Sequence, residues 1–302
     1  MAEKIQLTFL GTGSAVPTKK HNHPALLLTY KDENILIDCG EGTQRQFRFA
    51  HINPCKLTRI LITHWHGDHV LGLPGLLQTL MLSNYNKILH IYGPYGTKKM
   101  VELYLQLFVG KADQIKIEVH EVNEGKIIQE KEFFIEAQMM EHDTPTLAYS
   151  FNIPEKSRLD KAKIKKLKIP NSPLLGELAK GKIVEINGKK IDGKKLIYKE
   201  EKKKITVIMD TKINEDALDI AQNSDLLITE ATYSAEETQL AEEHFHLTSA
   251  QSASIAKKSK SKKLILTHLS QRYDKNPKQI LDEAKKIFKN TITAEDFMKF
   301  EI

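Results

Sequence analysis

The sequence predicts an α/β protein built in layers with more than one sheet, and three observations carry that reading. Short apolar runs of strand length crowd the first half of the chain. In the second half such runs alternate with stretches of helical periodicity. The chain is also large enough: 302 residues, 40% hydrophobic and 28% charged, can bury a sizeable core and carry no signature of general disorder.

The elements follow in order. Strands are expected at Ile5–Leu10, Ala25–Tyr30, Ile35–Cys39, Arg59–Thr63 and Ile88–Tyr92, then at Phe133–Met139 and Leu147–Ile153. After a lysine-rich interval come Ile205–Met209, Leu226–Thr229 and Leu264–Thr267. Helices are expected between them at Thr43–Ala50, Thr97–Val109, Asn214–Gln222, Thr248–Lys258 and Pro277–Lys289. The most apolar stretch, Val70 to Leu82, is interrupted by Gly72, Pro74 and Gly75 and is too short to span a bilayer. The start, Met1 to Leu7, lacks the basic and apolar regions of a signal peptide, which predicts an intracellular, water-soluble protein. Only two cysteines, Cys39 and Cys55, are present, so a disulfide framework is excluded and a reducing cytoplasm is expected.

The charge is unevenly placed. The chain carries +6 overall, yet Glu155–Lys204 holds 17 Lys plus Arg against 7 Asp plus Glu, a local +10. The remainder therefore sums to −4. Within this segment a helix is expected at Leu159–Leu167, and turns at Asn187-Gly188 and Asp192-Gly193. Such a run is read either as a solvated loop or hairpin, or as an inserted basic arm for a phosphate backbone. The second basic cluster, Lys257 to Lys263, suits a helix end facing the macrodipole.

The residues that carry chemistry are Thr63-His64-Trp65-His66-Gly67-Asp68-His69, directly after the strand-like Leu57–Ile62. His64 and His66 point the same way in an extended loop, and Gly67 permits a turn that returns Asp68 and His69 to a nearby position. Imidazoles with a carboxylate are donors that Zn²⁺ accepts, and such sites take Mn²⁺ as well. Further donors stand just past apolar runs: His142, Asp210 and His268. The set offers seven donors, enough for two metals if one carboxylate bridges.

This HxHxDH loop with later His, Asp and His at strand ends resembles the metallo-β-lactamase superfamily, and within it the ribonuclease Z family. Phe9-Leu10-Gly11-Thr12-Gly13-Ser14-Ala15-Val16-Pro17 looks like that family's opening signature, and Ile37-Asp38-Cys39-Gly40-Glu41-Gly42-Thr43-Gln44 like its acidic and glycine turn. Thr229-Glu230-Ala231-Thr232 resembles its HEAT motif and His246-Leu247-Thr248-Ser249-Ala250 its HST loop. The lysine-rich insertion with Pro173-Leu174-Leu175-Gly176 is similar to its tRNA-gripping arm.

The resemblance implies an αββα sandwich, one metallo-β-lactamase-like domain over 1–302 with a basic exosite arm at about 155–204. It implies two Zn²⁺ per subunit, one on His64, His66 and His142, the other on Asp68, His69 and His268, with Asp210 bridging. The implied activity is endonucleolytic removal of the 3′ trailer of precursor tRNA next to the discriminator base, leaving a 3′-hydroxyl. Asp68 is the implied water-orienting base; the leaving group needs a separate acid, and His246 oriented by Glu230 is read as that acid, the alternative being that the two are supporting or capping residues. A cytoplasmic homodimer is implied, with no membrane partner and no nucleotide cofactor. Gly11-Thr12-Gly13-Ser14 has neither a third glycine nor a GK[ST], so it is read as a tight turn beside the site that contacts phosphate through backbone N–H groups.

Three positions depart from the family pattern: His21 stands where its PxKxRN motif has arginine, Thr229 replaces the histidine of HEAT, and Asn171-Ser172-Pro173 replaces a Pro-Gly-Pro-like turn. The PxKxRN motif is associated with rejecting tRNA that already carries CCA, so that discrimination is not carried over to His21. The other histidines, His23, His51, His90, His120 and His244, are read as structural. Two rival readings remain: a same-fold metallo-hydrolase of a small phosphodiester or ester, for which a +10 arm has no use, and an RNA-binding protein with a vestigial metal site.

Overall fold

The computed structural model describes residues 4–109, 115–186 and 188–302. Met1, Ala2, Glu3 and Asn187, the first residue of the expected Asn187-Gly188 turn, lie outside the described residues. Among the described residues two seven-stranded sheets pack face to face. The first has the order Lys299–Glu301, Ile5–Gly11, Ala25–Tyr30, Glu33–Ile37, Arg59–Leu61, Ile88–Gly93, Lys116–Glu121. The second runs Thr291–Thr293, Leu264–Thr267, Leu226–Glu230, Lys203–Ile208, Thr146–Ile153, Phe134–Met140, Gly125–Gln129.

Side-chain alternation builds the layers. Ile5, Leu7, Phe9, Leu26 and Leu28 point between the sheets, where they meet Ile135, Leu147, Tyr149, Val207 and Ile228. The opposite face of the first sheet, with Leu27, Leu36 and Ile60, is covered by helices Thr43–Phe49, Leu73–Leu82 and Thr97–Tyr104 through Phe47, Leu76, Leu80 and Val101. The outer face of the second sheet is covered in the same way by Glu215–Ala221, Ser249–Lys258 and Lys278–Ile287. The result is the αββα order that the resemblance implied.

Strand direction decides where function can sit. Lys203–Ile208, Leu226–Glu230 and Leu264–Thr267 are mutually parallel. Phe134–Met140 is antiparallel to Thr146–Ile153, itself antiparallel to Lys203–Ile208, so its end reaches the same edge. The residues that follow these strands therefore leave the sheet together.

Some elements were not expected. Leu73–Leu82 is a helix despite Pro74, because Pro74 falls in the first turn, where its missing N–H would be unbonded anyway. Lys116–Glu121 forms a border strand although its charged residues hide the alternation. The helix expected at Leu159–Leu167 is confined to Lys161–Lys166 and capped by Asp160. The lysine-rich insertion is folded: Lys156–Leu159 pairs with Ile197–Glu200, Ile183–Ile186 pairs with Lys189–Asp192, and Ile169, Leu178, Ile186 and Leu196 form a core of their own. Lys203 and Lys204 belong to the main sheet, opposite Ile153 and Asn152. Among the described residues no helix is long and apolar enough to cross a membrane.

Buried bonds tie the sheets together, among them Leu147 N–H to the Thr63 carbonyl at 2.9 Å. The Tyr149 hydroxyl, on the second sheet, donates to the Ile62 carbonyl at the end of a first-sheet strand, at 2.6 Å. Tyr149→Phe strands that buried carbonyl, and we expect a loss of about 1–2 kcal/mol. The readout is a lower urea midpoint at unchanged slope; an unmoved midpoint would remove this bond from the account of sheet docking.

Candidate metal centre

The strand Arg59–Leu61 runs out through Ile62 and Thr63 into His64 and His66, and Gly67–Val70 forms a single helical turn with His66 as its N-cap. That turn brings Asp68 and His69 back over the sheet edge. A support lies directly beneath it. The Asp68 carbonyl passes so close to Gly40 that a Cβ there would sit 2.3 Å away. Cys39 N–H donates to the His69 carbonyl at 2.7 Å, and Gly72 N–H to the Cys39 carbonyl at 2.9 Å. The acidic and glycine turn is thus the platform of the histidine loop.

The seven expected donors converge in two groups. Ligand-capable atoms of His64, His66, His142 and Asp210 all lie within 4.8 Å of one another, as do those of Asp68, His69 and His268. Asp210 stands between the groups: its Oδ2 is 3.6 Å from His64 Nε2 and 3.5 Å from His69 Nε2, and its Oδ1 is 3.3 Å from His268 Nε2. Asp68 Oδ2 is 3.4 Å from both His69 Nε2 and His268 Nε2.

The outward nitrogens are fixed, which determines what points inward. His69 Nδ1 lies 2.7 Å from the buried Asp38 Oδ2, which also accepts from the Thr63 hydroxyl at 2.8 Å. That hydroxyl is 3.0 Å from His64 Nδ1; with its own proton spent on Asp38, it can only accept there. His142 Nδ1 donates to the Phe245 carbonyl at 3.0 Å. His268 Nδ1 is 2.8 Å from the Thr232 hydroxyl, whose proton goes to Glu230 Oε2 at 2.6 Å. Each of these rings therefore turns an Nε2 lone pair toward the cluster, and His66 turns Nδ1, 3.3 Å from His142 Nε2.

This arrangement suits a cation and little else. His69 Nε2 and His268 Nε2 face each other at 3.2 Å with both Nδ1 protons already committed, a contact that needs positive charge between the rings. His64 Nε2 and Asp210 Oδ1 are buried with no hydrogen-bond partner among the described residues. The donor set of imidazole and carboxylate fits a divalent transition metal.

The electrostatics are tightly coupled: burial opposes a charge on His69, but Asp210 and Asp38 outweigh it and raise that ring well above the ordinary histidine range. Burial and the neighbouring His69 push His64 well below the ordinary histidine range. Burial opposes the charge of Asp68, but His69 and His268 outweigh it and hold its carboxyl far below the usual range. Asp210 is likewise held low, burial again opposing, by His268 and His69. For His246 burial opposes protonation, yet Glu230 and Asp210 raise it to about 9.

His246 and Glu230 meet beside the cluster. Glu230 is fully buried, and both its oxygens lie 3.1 Å from His246 Nδ1. Oε1 also accepts from Thr211 N–H at 2.9 Å. A 370 Å³ cleft opens there, bordered by His66, His142, His246, Tyr233 and Arg272. Sequence reading missed several of its parts. Asp38, Thr63 and Thr232 orient the rings, and the motifs that contain them were the only signal in the sequence. Asp143 Oδ1 reaches 3.2 Å from His66 Nε2. His244, read as structural, stacks on Tyr233 at the cleft, with centroids 6.3 Å apart.

One expectation needs revision. Gly13 N–H bonds the Asn22 carbonyl at 2.8 Å and Ser14 N–H the Leu269 carbonyl at 3.2 Å, so these amides hold the turn and are not offered to a phosphate. His21 is buried, its Nδ1 2.8 Å from the Thr12 hydroxyl, which donates to Asp296 Oδ1 at 2.7 Å. It touches none of the seven donors.

Comparison with known proteins adds an independent line. The family model described as Anti-Pycsar protein Apyc1 matches residues 5–158. Ribonuclease Z of Methanosarcina acetivorans is 36% identical over 302 residues, covering 99% of this chain and 98% of its own. That of Anoxybacillus flavithermus is 38% identical over 307 residues, with 99% and 97% covered. Among solved structures, human tRNase Z, short form, is 27% identical with a TM-score of 0.67, covering 98% of both chains. The metallo-β-lactamase fold protein YhfI from Bacillus subtilis, 18% identical with a TM-score of 0.71 and covering 99% of this chain and all of its own, shares the fold.

Asp38 offers a test of the ring-orientation argument. Asp38→Asn keeps the shape but removes the charge that fixes His69, and we expect metal affinity to fall about 10–100-fold. Competition with a chromophoric chelator measures it; unchanged affinity would show that the tautomer of His69 is set by something other than Asp38.

Proposed function

The chain belongs to the ribonuclease Z family, and on that premise we propose that it is a zinc-dependent endoribonuclease that removes the 3′ trailer of precursor tRNA next to the discriminator base. The observation that carries the reading is the convergence of His64, His66, Asp68, His69, His142, Asp210 and His268 at one sheet edge. In this proposal His64, His66 and His142 would hold one ion and Asp68, His69 and His268 the other, with Asp210 within reach of both groups. Zinc is favoured by the histidine-rich set, and Mn²⁺ is an acceptable substitute. When bound, two such ions polarise the scissile phosphate and make water nucleophilic at neutral pH.

The chain's own groups do the rest. Asp68 accepts the hydrogen bond of the attacking water and takes its proton. The water oxygen bonds to phosphorus as the bond to the 3′-oxygen of the tRNA breaks, leaving the phosphate on the trailer. His246, protonated and fixed through Nδ1 by Glu230, presents Nε2–H to the departing oxygen and leaves it as a 3′-hydroxyl.

The arm supplies affinity. Several of its charges are already answered within the protein, such as Lys180 and Lys182 by Glu177 and Lys199 by Glu155. Lys161, Lys165, Lys166 and Lys168 make no ion pair among the described residues and remain available for phosphates. A homodimer is supported by large apolar side chains left exposed: Leu82 at 85%, Leu107 at 70% and Leu71 at 54%. A cytoplasmic location fits a tRNA substrate.

Metal-loaded protein incubated with a trailer-bearing precursor tRNA should make a single cut beside the discriminator base. Chelation should abolish it, and Asp68→Ala should slow it by at least about 100-fold. An intact precursor, alongside turnover of a small phosphodiester, would move the assignment to a small-substrate hydrolase. Replacing residues 155–202 by a short linker should lower kcat/KM for precursor tRNA at least about tenfold while sparing the small phosphodiester. Equal losses on both substrates would make the arm structural.

A further inference from the structure

At one border of the first sheet, Ile88–Gly93 and Lys116–Glu121 run parallel, with His90 opposite Glu118 and Tyr92 opposite His120. Leu89, Ile91, Ile117 and Val119 face the helix-covered side. By alternation His90, Tyr92, Glu118 and His120 share the other side. His90 Nδ1 stands 3.3 Å from His120 Nε2 and 3.4 Å from Glu118 Oε2. The ligand-capable atoms of all three residues lie within 4.8 Å of one another, and none of the three belongs to the centre described above.

The spacing is informative. A tetrahedral ion with bonds of about 2.0–2.1 Å holds its ligand atoms about 3.3–3.4 Å apart. Both measured separations match that value without an ion to impose it. The rings are also oriented. Tyr92 stacks on His120 with centroids 4.4 Å apart and planes 16° from parallel, which fixes the plane of that imidazole. The side chains of His90 and Glu118 are 30% and 53% exposed, which leaves room for water as a fourth ligand.

We infer that His90, Glu118 and His120 form a second, separate metal site that takes Zn²⁺ or a similar divalent ion with two imidazoles, one carboxylate and water. Its structural effect follows from position. Lys116–Glu121 is a border strand with Ile88–Gly93 as its neighbour in the sheet, and an ion shared by the two would staple the border.

Equilibrium dialysis of the full-length protein against rising Zn²⁺, with metal content read by mass spectrometry, tests the site directly. His90→Ala and His120→Ala should each saturate at one equivalent fewer per chain than wild type. Both should retain small-phosphodiester turnover and lose the part of the zinc-dependent rise in Tm that wild type gains from this site. Equal content in wild type and both variants overturns the inference and leaves an ordinary histidine–histidine hydrogen bond. If either alanine variant fails to fold, Glu118→Gln decides by the same comparison: weaker binding of the last equivalent supports the site, and unchanged binding rejects it. The difference between proteins is the readout, so neither the number of ions at the main centre nor the nature of the RNA substrate enters the result.

Discussion

Seven imidazole and carboxylate groups can be gathered at one point only if every ring is held from behind. That constraint organises much of the molecule. Asp38 and Thr63 hold His69 and His64, the Phe245 carbonyl holds His142, and Thr232 holds His268. Geometry is forced at these same places: Asp38, Phe245 and His268 each adopt φ of 57°, a left-handed conformation that non-glycine residues avoid. Each such residue costs of order 1–3 kcal/mol, a strain sustained by the close packing around the sheet edge. The glycine turn at Gly40 belongs to the same design, since no side chain fits between it and the Asp68 backbone.

The donors themselves were legible because they are short-range features of strand ends. His142, Asp210 and His268 each follow an apolar run, and a buried strand must deliver its next residues to an edge. Which edge was not readable from those runs, because it depends on the direction of strands far apart in sequence. The orienting residues were less visible still. Thr63 and Thr232 are unremarkable in composition, and their importance lies in a single proton that goes to a carboxylate and leaves the oxygen able only to accept. Leu73–Leu82 was hidden by a proline whose position in the first turn makes it harmless. The strand Lys116–Glu121 was hidden because its polar members, His120 among them, look like a solvated face.

Charge is divided between two bodies of the chain. The residues outside the arm sum to −4 and those of 155–204 to +10. The arm has its own small core, so its lysines are displayed from a folded support, anchored to the sandwich by Lys156 and Arg158 on Glu132. Grip and cleavage can then be tuned apart. On the proposed reading a change in the arm would alter how firmly a polyanion is held, while the electrostatics of the centre are set locally by buried neighbours.

The centre itself is unbalanced without a cation. Asp68, Asp210, Glu230 and Asp38 lie beside buried imidazoles whose lone pairs converge, and burial penalises each charge that could relieve them. In the absence of an ion the cluster can satisfy itself only by sharing protons, as between His69 and His268 at 3.2 Å. A divalent ion removes that conflict at once, replacing proton sharing with bonds to lone pairs already aimed inward. Binding free energy at such a site is also folding free energy. The same stiffness that makes the empty arrangement costly therefore makes the filled one well ordered. It also keeps His246 apart: its Nδ1 is committed to Glu230, and on the proposed mechanism Nε2 is the atom left for a substrate in the cleft.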